Sequence, residues 1–281
     1  MKKILVPTDF SEQAGYALEV AYHIAKKSDA SIVLLHVVED ASVTSMHYTG
    51  EVDLPNMEDR LFMMKLIEKG KQDLAELANS SFSDAVIEQE LRIGSPYHNI
   101  KDIIGEHSVD LVVMGTKGST GLEEFLIGSN AEKVVRHAKC PVLTIHKKAT
   151  SFDFKEVVYA TALEEEEEQC VNTVKMFQKL YGSTLHLVRI NTPNNFQSDR
   201  FARPELEAFA KRCQLENYKI HIFNEGSEEE GIIYFAESIN ADMIAMATHG
   251  RTGLAHLLTG SIAEDVVNHA KRPVLTYVIG R

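Results

Sequence analysis

The sequence predicts two α/β domains in tandem, each a parallel sheet covered by helices on both faces, and three observations carry that reading. The chain repeats itself: residues 118–144 laid over 250–276, at an offset of 132, agree at 18 of 27 positions. Short runs dense in Val and Ile recur along both halves, as strands buried on both faces require. Between these runs lie amphipathic stretches of helical period, and that alternation builds a parallel sheet.

The elements follow in order. Strands are expected at 3–8, 31–37, 85–91, 110–115 and 141–146, with helices at about 11–27, 60–79, 96–107 and 129–138. The second half repeats the strands near 156–160, 184–190, 218–224, 242–247 and 273–278. At the offset of 132, Asp110 falls on Asp242 and Gly128-Ser129 on Gly260-Ser261; upstream the best offset is 153, which lays Val6-Pro7-Thr8-Asp9 over Tyr159-Ala160-Thr161-Ala162. The second copy is therefore 21 residues shorter between its second strand and its Gly-Ser segment. Domains are expected at 1–149 and 150–281, packed closely because no Pro/Gly-rich linker separates them. The stretch Asp40 through Asp59 has little periodicity and reads as a surface insertion, with a lid or partner-binding excursion as the alternative.

Composition bounds the function. Of 281 residues 44% are hydrophobic and 25% charged, with 29 Lys plus Arg against 41 Asp plus Glu and a formal net charge of −12. That is globular composition; disorder, collagen and coiled coil are excluded as global descriptions. The acidic balance argues against nucleic acid or anionic membrane as partner, since phosphate neutralisation needs clustered Lys and Arg. Cys140, Cys170 and Cys213 form no CxxC pair, so neither a disulfide framework nor a thiolate zinc cluster is expected. The basic start and apolar Ile4-Leu5-Val6 are cut short by Asp9 and Glu12, before a signal or membrane span is reached. The expectation is a cytoplasmic protein.

In a parallel sheet the ligand sits beyond the carboxyl ends of the strands. Three segments of the first half meet that requirement: Pro7-Thr8-Asp9, Val37-Val38, and Met114-Gly115-Thr116-Lys117-Gly118-Ser119-Thr120-Gly121. The last is followed by Gly128-Ser129-Asn130 at a helix start. Glycines and a helix terminus supply close backbone approach, N–H donors and positive charge for a polyphosphate. The spacing is neither GxGxxG nor GxxxxGK[ST], which lowers hydride transfer and fast nucleotide hydrolysis. Structural roles stand beside these functional ones. Ser129 with Glu132 and Ser261 with Glu264 read as capping boxes, Ser95-Pro96 as a helix start, Asp9 as a capping carboxylate and Lys117 as a solvent-facing lysine. No HExxH or G-x-S-x-G is present, and the histidines are scattered, so neither a metal site nor a general base is expected from spacing.

Gly115-x-x-Gly118, nine residues, then Gly128-Ser129 resembles the glycine signature of ATP-binding universal stress proteins, and Val6-Pro7-Thr8-Asp9-Phe10-Ser11 is similar to that family's opening. The resemblance spans the chain as two tandem copies. It implies doubly wound, five-stranded parallel sheets of the adenine-nucleotide-hydrolase-like kind, ordered 3-2-1-4-5, with pairing through the fifth strands. It places Asp9, beside Pro7 and Thr8, at the adenosine moiety and Val37 or Val38 at the adenine slot. Met114 and Gly115 follow the fourth strand; Lys117, Gly118 and Gly121 fall in the phosphate loop, and Gly128, Ser129 and Asn130 at the phosphates. The implied cofactor is ATP or AMP, with Mg2+ held by phosphate and water oxygens.

The second copy departs where binding is decided. Ala162 replaces Asp9, Ala160 replaces Pro7 and Ala247 replaces Gly115, while Glu164-Glu165-Glu166-Glu167-Glu168 follows the altered strand. Acidic residues suit a first helical turn, yet five together repel a polyphosphate. One competent pocket is expected, in the first domain, with the second degenerate or taking another ligand. The functional expectation is a nucleotide-binding stress-response protein, regulatory or chaperone-like, with slow or no hydrolysis. A protein-interaction scaffold and a slow ATP hydrolase are the alternatives. Segments Pro141–His146 and Pro273–Val278 are expected to pair within the chain as a pseudo-dimer, with a homodimer or an unidentified protein partner using another face.

Overall fold

The computed structural model describes residues 1–39, 57–79, 82, 84–116, 127–149, 151–249 and 259–279. The first half runs β1 (Lys3–Thr8), α1 (Glu12–Ser28), β2 (Ser31–Val38), α2 (Met57–Asn79), β3 (Ile87–Ile93), α3 (Pro96–Glu106), β4 (Leu111–Gly115), α4 (Ser129–His137) and β5 (Val142–Ile145). The second runs β6 (Glu156–Ala160), a 3-10 turn Glu165–Glu167, α5 (Glu168–Tyr181), β7 (Thr184–Asn191), α6 (Asp199–Arg212), β8 (Tyr218–Asn224), α7 (Glu228–Ser238), β9 (Met243–His249), α8 (Thr259–His269) and β10 (Val274–Ile279).

All ten strands join one sheet in the order β3-β2-β1-β4-β5-β10-β9-β6-β7-β8. Each half therefore has the expected 3-2-1-4-5 order, with parallel neighbours throughout. The halves meet where β5 and β10 pair antiparallel, Leu143 opposite Leu275. The seam carries its own symmetry: Thr144 Oγ1 donates to the Val274 carbonyl at 3.2 Å, and Thr276 Oγ1 donates to the Val142 carbonyl at 3.4 Å. Fifth-strand edges that would otherwise expose unpaired backbone cover one another.

Local sequence explains the elements. Helix α1 starts where Ser11 Oγ accepts from the Ala14 N–H at 3.3 Å, and ends where Asp29 adopts a left-handed φ of 54°. Its stripe Ala14, Ala17, Leu18, Ala21, Ile24 and Ala25 is buried on the sheet. One apolar core runs along this face through both halves, from Ile4 and Leu18 to Phe177 and Leu275. The other face carries two cores, one around Val33, Ile100 and Val134, the other around Val158, Phe235 and Val267. Helices therefore cover both sides of each half, as double winding requires.

Most boundaries fall within one or two residues of the sequence reading, and two elements are shifted most. Helix α2 starts at Met57, so Met57, Glu58 and Asp59 belong to a helix; residues 40–56 of the expected insertion lie outside the described residues. Strand β3 occupies 87–93, two residues later than expected, because Glu88, Gln89, Glu90 and Arg92 interrupt the apolar pattern. The repeated aspartates do the same work in both halves. Asp110 accepts the Lys3 N–H at 3.0 Å and Asp242 the Glu156 N–H at 2.8 Å, each holding the start of a first strand.

Candidate functional site

The carboxyl ends of β1, β2 and β4 and the start of α4 surround a cleft of about 210 Å³. Pro7, Thr8, Asp9, Val37, Met114, Gly115, Gly128, Ser129 and Asn130 all line it. Val38 does not: one residue on from Val37 in a strand, it faces the opposite side. Lys117, Gly118 and Gly121 lie outside the described residues. Thr116, within the segment named after the fourth strand, lines the cleft too; sequence reasoning missed Ala14, Leu35, Glu39, Pro96, Ile100 and Ala131. Leu35 was reachable, two positions before Val37 on the same face of β2. Ile100 was reachable too, one helical turn beyond Pro96.

Asp9 is held by the turn that follows β1. The Phe10 N–H donates to Thr8 Oγ1 at 3.0 Å, the Ser11 N–H donates to Asp9 Oδ1 at 3.0 Å, and Phe10 takes a φ of 62°. Phe10 packs on the His36 ring, whose Nδ1–H donates to the Thr8 carbonyl at 2.9 Å. Asp9 does accept a backbone N–H, but the N-cap of α1 is Ser11, so its carboxylate is exposed beside the cleft. The second half keeps this turn: Leu163 has a φ of 69° and its N–H donates to Thr161 Oγ1 at 2.8 Å. What it loses is the carboxylate.

At the opposite wall the N-cap of α4 is Gly128, which has no side chain, and among the described residues no side chain caps the helix. This corrects the capping-box expectation: Ser129 is the first helical residue, and Ser261 lies inside α8, which starts at Thr259. An N-terminus without a side-chain cap presents N–H donors and positive partial charge to the cleft. Its entry is fixed, since the Gly128 N–H donates to the Thr116 carbonyl at 2.7 Å. Apolar Leu35, Val37, Ile100 and Met114 supply the slot between these polar ends.

Gly115 has a packing role the sequence did not disclose. A Cβ there would lie 3.0 Å from the main-chain carbonyl carbon of Gln13, so a side chain at this place needs α1 to give by a few tenths of an ångström. In the second half the same place holds Ala247, and the matching chain start is the 3-10 turn Glu165–Glu167.

Glu167 also corrects the reading of the acidic run. It is 1% exposed, and its carboxylate accepts from Tyr159 Oη at 2.7 Å, Thr161 Oγ1 at 2.8 Å, Ala162 N–H at 3.0 Å and Glu164 N–H at 3.1 Å. Burial raises its pKa above the ordinary carboxylate value, and these donors offset only part of the rise. It is an internal tie standing where the first half has Ala14.

The second cleft is as roomy as the first, at about 260 Å³, so Ala247 does not close it. Its chemistry differs: at the place of Asn130 stands Ile262, at Pro96 stands Glu228, and Glu164 and Glu167 also line the wall. Among its described lining residues Arg189 is the one cationic side chain, and it stands 3.8 Å from Glu205.

Among the described residues one further group has metal-ligand geometry, Glu88, Glu90 and His107 on β3 and the end of α3. Lys3 and Arg92 already pair with its carboxylates, so it is an ion-pair cluster. Among the same residues no helix is long and apolar enough to cross a membrane.

A tandem of doubly wound sheets, each ordered 3-2-1-4-5 with a cleft at its strand ends, defines a Rossmann-like α/β class. Comparison with known proteins narrows it: the profile of the universal stress protein family matches residues 1–146 and again 153–277, and the chain belongs to that family. It is 35% identical over 147 residues to universal stress protein MJ0531 of Methanocaldococcus jannaschii, covering 52% of this chain and 82% of that one. It is 33% identical over 150 residues to universal stress protein YxiE of Bacillus subtilis, covering 51% and 97%. Among solved structures a universal stress protein from Archaeoglobus fulgidus aligns over 99% of this chain and 98% of its own, with a TM-score of 0.74 and 23% identity, which shows the shared tandem fold.

Proposed function

We propose that the chain is a stress-response protein that binds ATP, or AMP after hydrolysis, in its first cleft, and acts as a regulator or chaperone-like factor. The division is at 149/150, with residues 1–149 competent for nucleotide and 150–281 degenerate for it. The observation that carries this reading is the convergence of Asp9, an apolar slot and the glycine-led start of α4 on one cleft. On this reading Asp9 accepts donors of the ribose or base, and Val37 and Met114 sandwich the base. Main-chain N–H groups at Gly128, Ser129 and Asn130 take phosphate oxygens, with Lys117, Gly118 and Gly121 contributing from the preceding loop. Magnesium accompanies ATP through phosphate and water oxygens.

Slow or no hydrolysis fits the lining, whose described titratable side chains are Asp9 and Glu39. Three buried free cysteines support a reducing, cytoplasmic setting. Mass spectrometry of the natively purified protein, followed by ATP titration, tests the proposal. Bound adenine nucleotide that is lost in Asp9→Ala and Gly118→Val supports it. No binding of any adenine nucleotide contradicts it.

A second reading, a protein-interaction scaffold, draws on the start of α2, where Met57, Leu61, Phe62 and Met64 are all more than half exposed. It is favoured if nucleotide binding is absent and substitution of these four residues abolishes association with another protein.

A further inference from the structure

The two halves touch at the point where the first cleft would receive phosphate. Helices α4 and α8 lie side by side on one face of the sheet, and because β5 and β10 are antiparallel, the end of α8 reaches the start of α4. There Asn268, in the last turn of α8, accepts the Ile127 N–H through Oδ1 at 2.7 Å. Ile127 immediately precedes the N-cap Gly128, and its side chain packs against the apolar cores of both halves.

The contact runs in one direction. The repeat-equivalent of Asn268 is Arg136, near the end of α4, and it bonds to Glu264 and Glu132 through its guanidinium. Arginine has no acceptor, so it cannot hold a backbone N–H at the start of α8. Thr116, which accepts the Gly128 N–H, is also tied to the seam. Its N–H donates to the carbonyl of Ile145, on the strand that pairs with β10, at 3.2 Å, and its Oγ1 lies 2.9 Å from Nδ1 of His146, which follows that strand.

We infer that Asn268 is a positioning residue for the first cleft: the second half clamps Ile127 and so sets the orientation of the Gly128, Ser129 and Asn130 amides toward phosphate. The inference rests on the proposed nucleotide reading and deepens it. It gives the second half a task that needs no ligand of its own. A donor set fixed before binding loses less conformational freedom on binding.

The test compares Asn268→Leu, which removes the acceptor at similar size, with Asn268→Asp, which keeps it. ATP affinity is expected to fall roughly five- to tenfold in the leucine variant, the scale of one hydrogen bond; the aspartate variant keeps the acceptor but adds negative charge near the phosphates, so it is read by Ile127 exchange. Adenosine affinity is expected to be unchanged in both, because adenosine has no phosphate; this separates positioning from general loss of structure. Amide exchange at Ile127 is expected to accelerate in Asn268→Leu alone. Unchanged ATP affinity in Asn268→Leu overturns the inference, as does an equal loss for ATP and adenosine. If wild type binds no ATP, the nucleotide reading falls, and the clamp is judged on Ile127 exchange, where equal rates in wild type and Asn268→Leu overturn it.

Discussion

Gly115 lies against the main chain of Gln13, so close that a Cβ on the glycine would stand 3.0 Å from the Gln13 carbonyl carbon. The end of β4 and the first turn of α1 are thereby locked together, and both line the cleft. Gly115→Ala is expected to force the two apart and destabilise the fold by about 1–3 kcal/mol. The reciprocal change, Ala247→Gly, is expected to cost about 1 kcal/mol or less. Chemical unfolding of both variants checks the asymmetry; equal effects would contradict a close approach confined to the first half.

Glu167 ties the altered turn of the second half together, with one carboxylate serving four donors. Glutamine has a single acceptor oxygen and brings an NH2 group against those donors, so Glu167→Gln is expected to destabilise by about 1–3 kcal/mol. The pH dependence follows from the raised pKa. The group's ordinary value is 4.5, and burial lifts it in the folded state, which then holds a proton that the unfolded chain has released. That contribution is full below pH 4.5 and is lost as pH rises through the raised folded value. Wild type is thus expected to exceed Glu167→Gln by most in acid, with the gap narrowing toward neutrality. Unfolding curves across this range that show a widening gap would contradict the buried carboxyl.

Burial pushes the thiols of Cys140 and Cys170 up to about 12. Thiolate is the reactive form, so neither is expected to react with an alkylating reagent at pH 8 while the protein is folded. Both are expected to react fully in denaturant. Mass spectrometry after timed labelling reads this; rapid native labelling at either position would contradict the packing described.

Much of this was legible in the sequence because repetition and strand patterning are local signals. The matched segments around Gly118 and Gly250 fixed two halves, the Val/Ile runs fixed ten strands, and the strand-end residues Pro7, Asp9 and Met114 fixed where the cleft lies. What stayed hidden depends on contacts between distant residues. Gly115 reads as a ligand-facing glycine until Gln13, 102 positions earlier, is seen against it. The five glutamates read as a first helical turn, because the Tyr159 and Thr161 hydroxyls that donate to Glu167 carry no sequence mark of their orientation. Asn268 sits in a helix of ordinary polar pattern, and its bond to Ile127 exists only once the seam brings α8 beside α4.

Nucleotide stoichiometry tests the central asymmetry most directly. Native mass spectrometry with saturating ATP is expected to find one nucleotide per chain, and none in Asp9→Ala when the variant remains folded. Two nucleotides per chain, or one that persists in folded Asp9→Ala, would contradict an account in which the first cleft alone is built for adenine nucleotide.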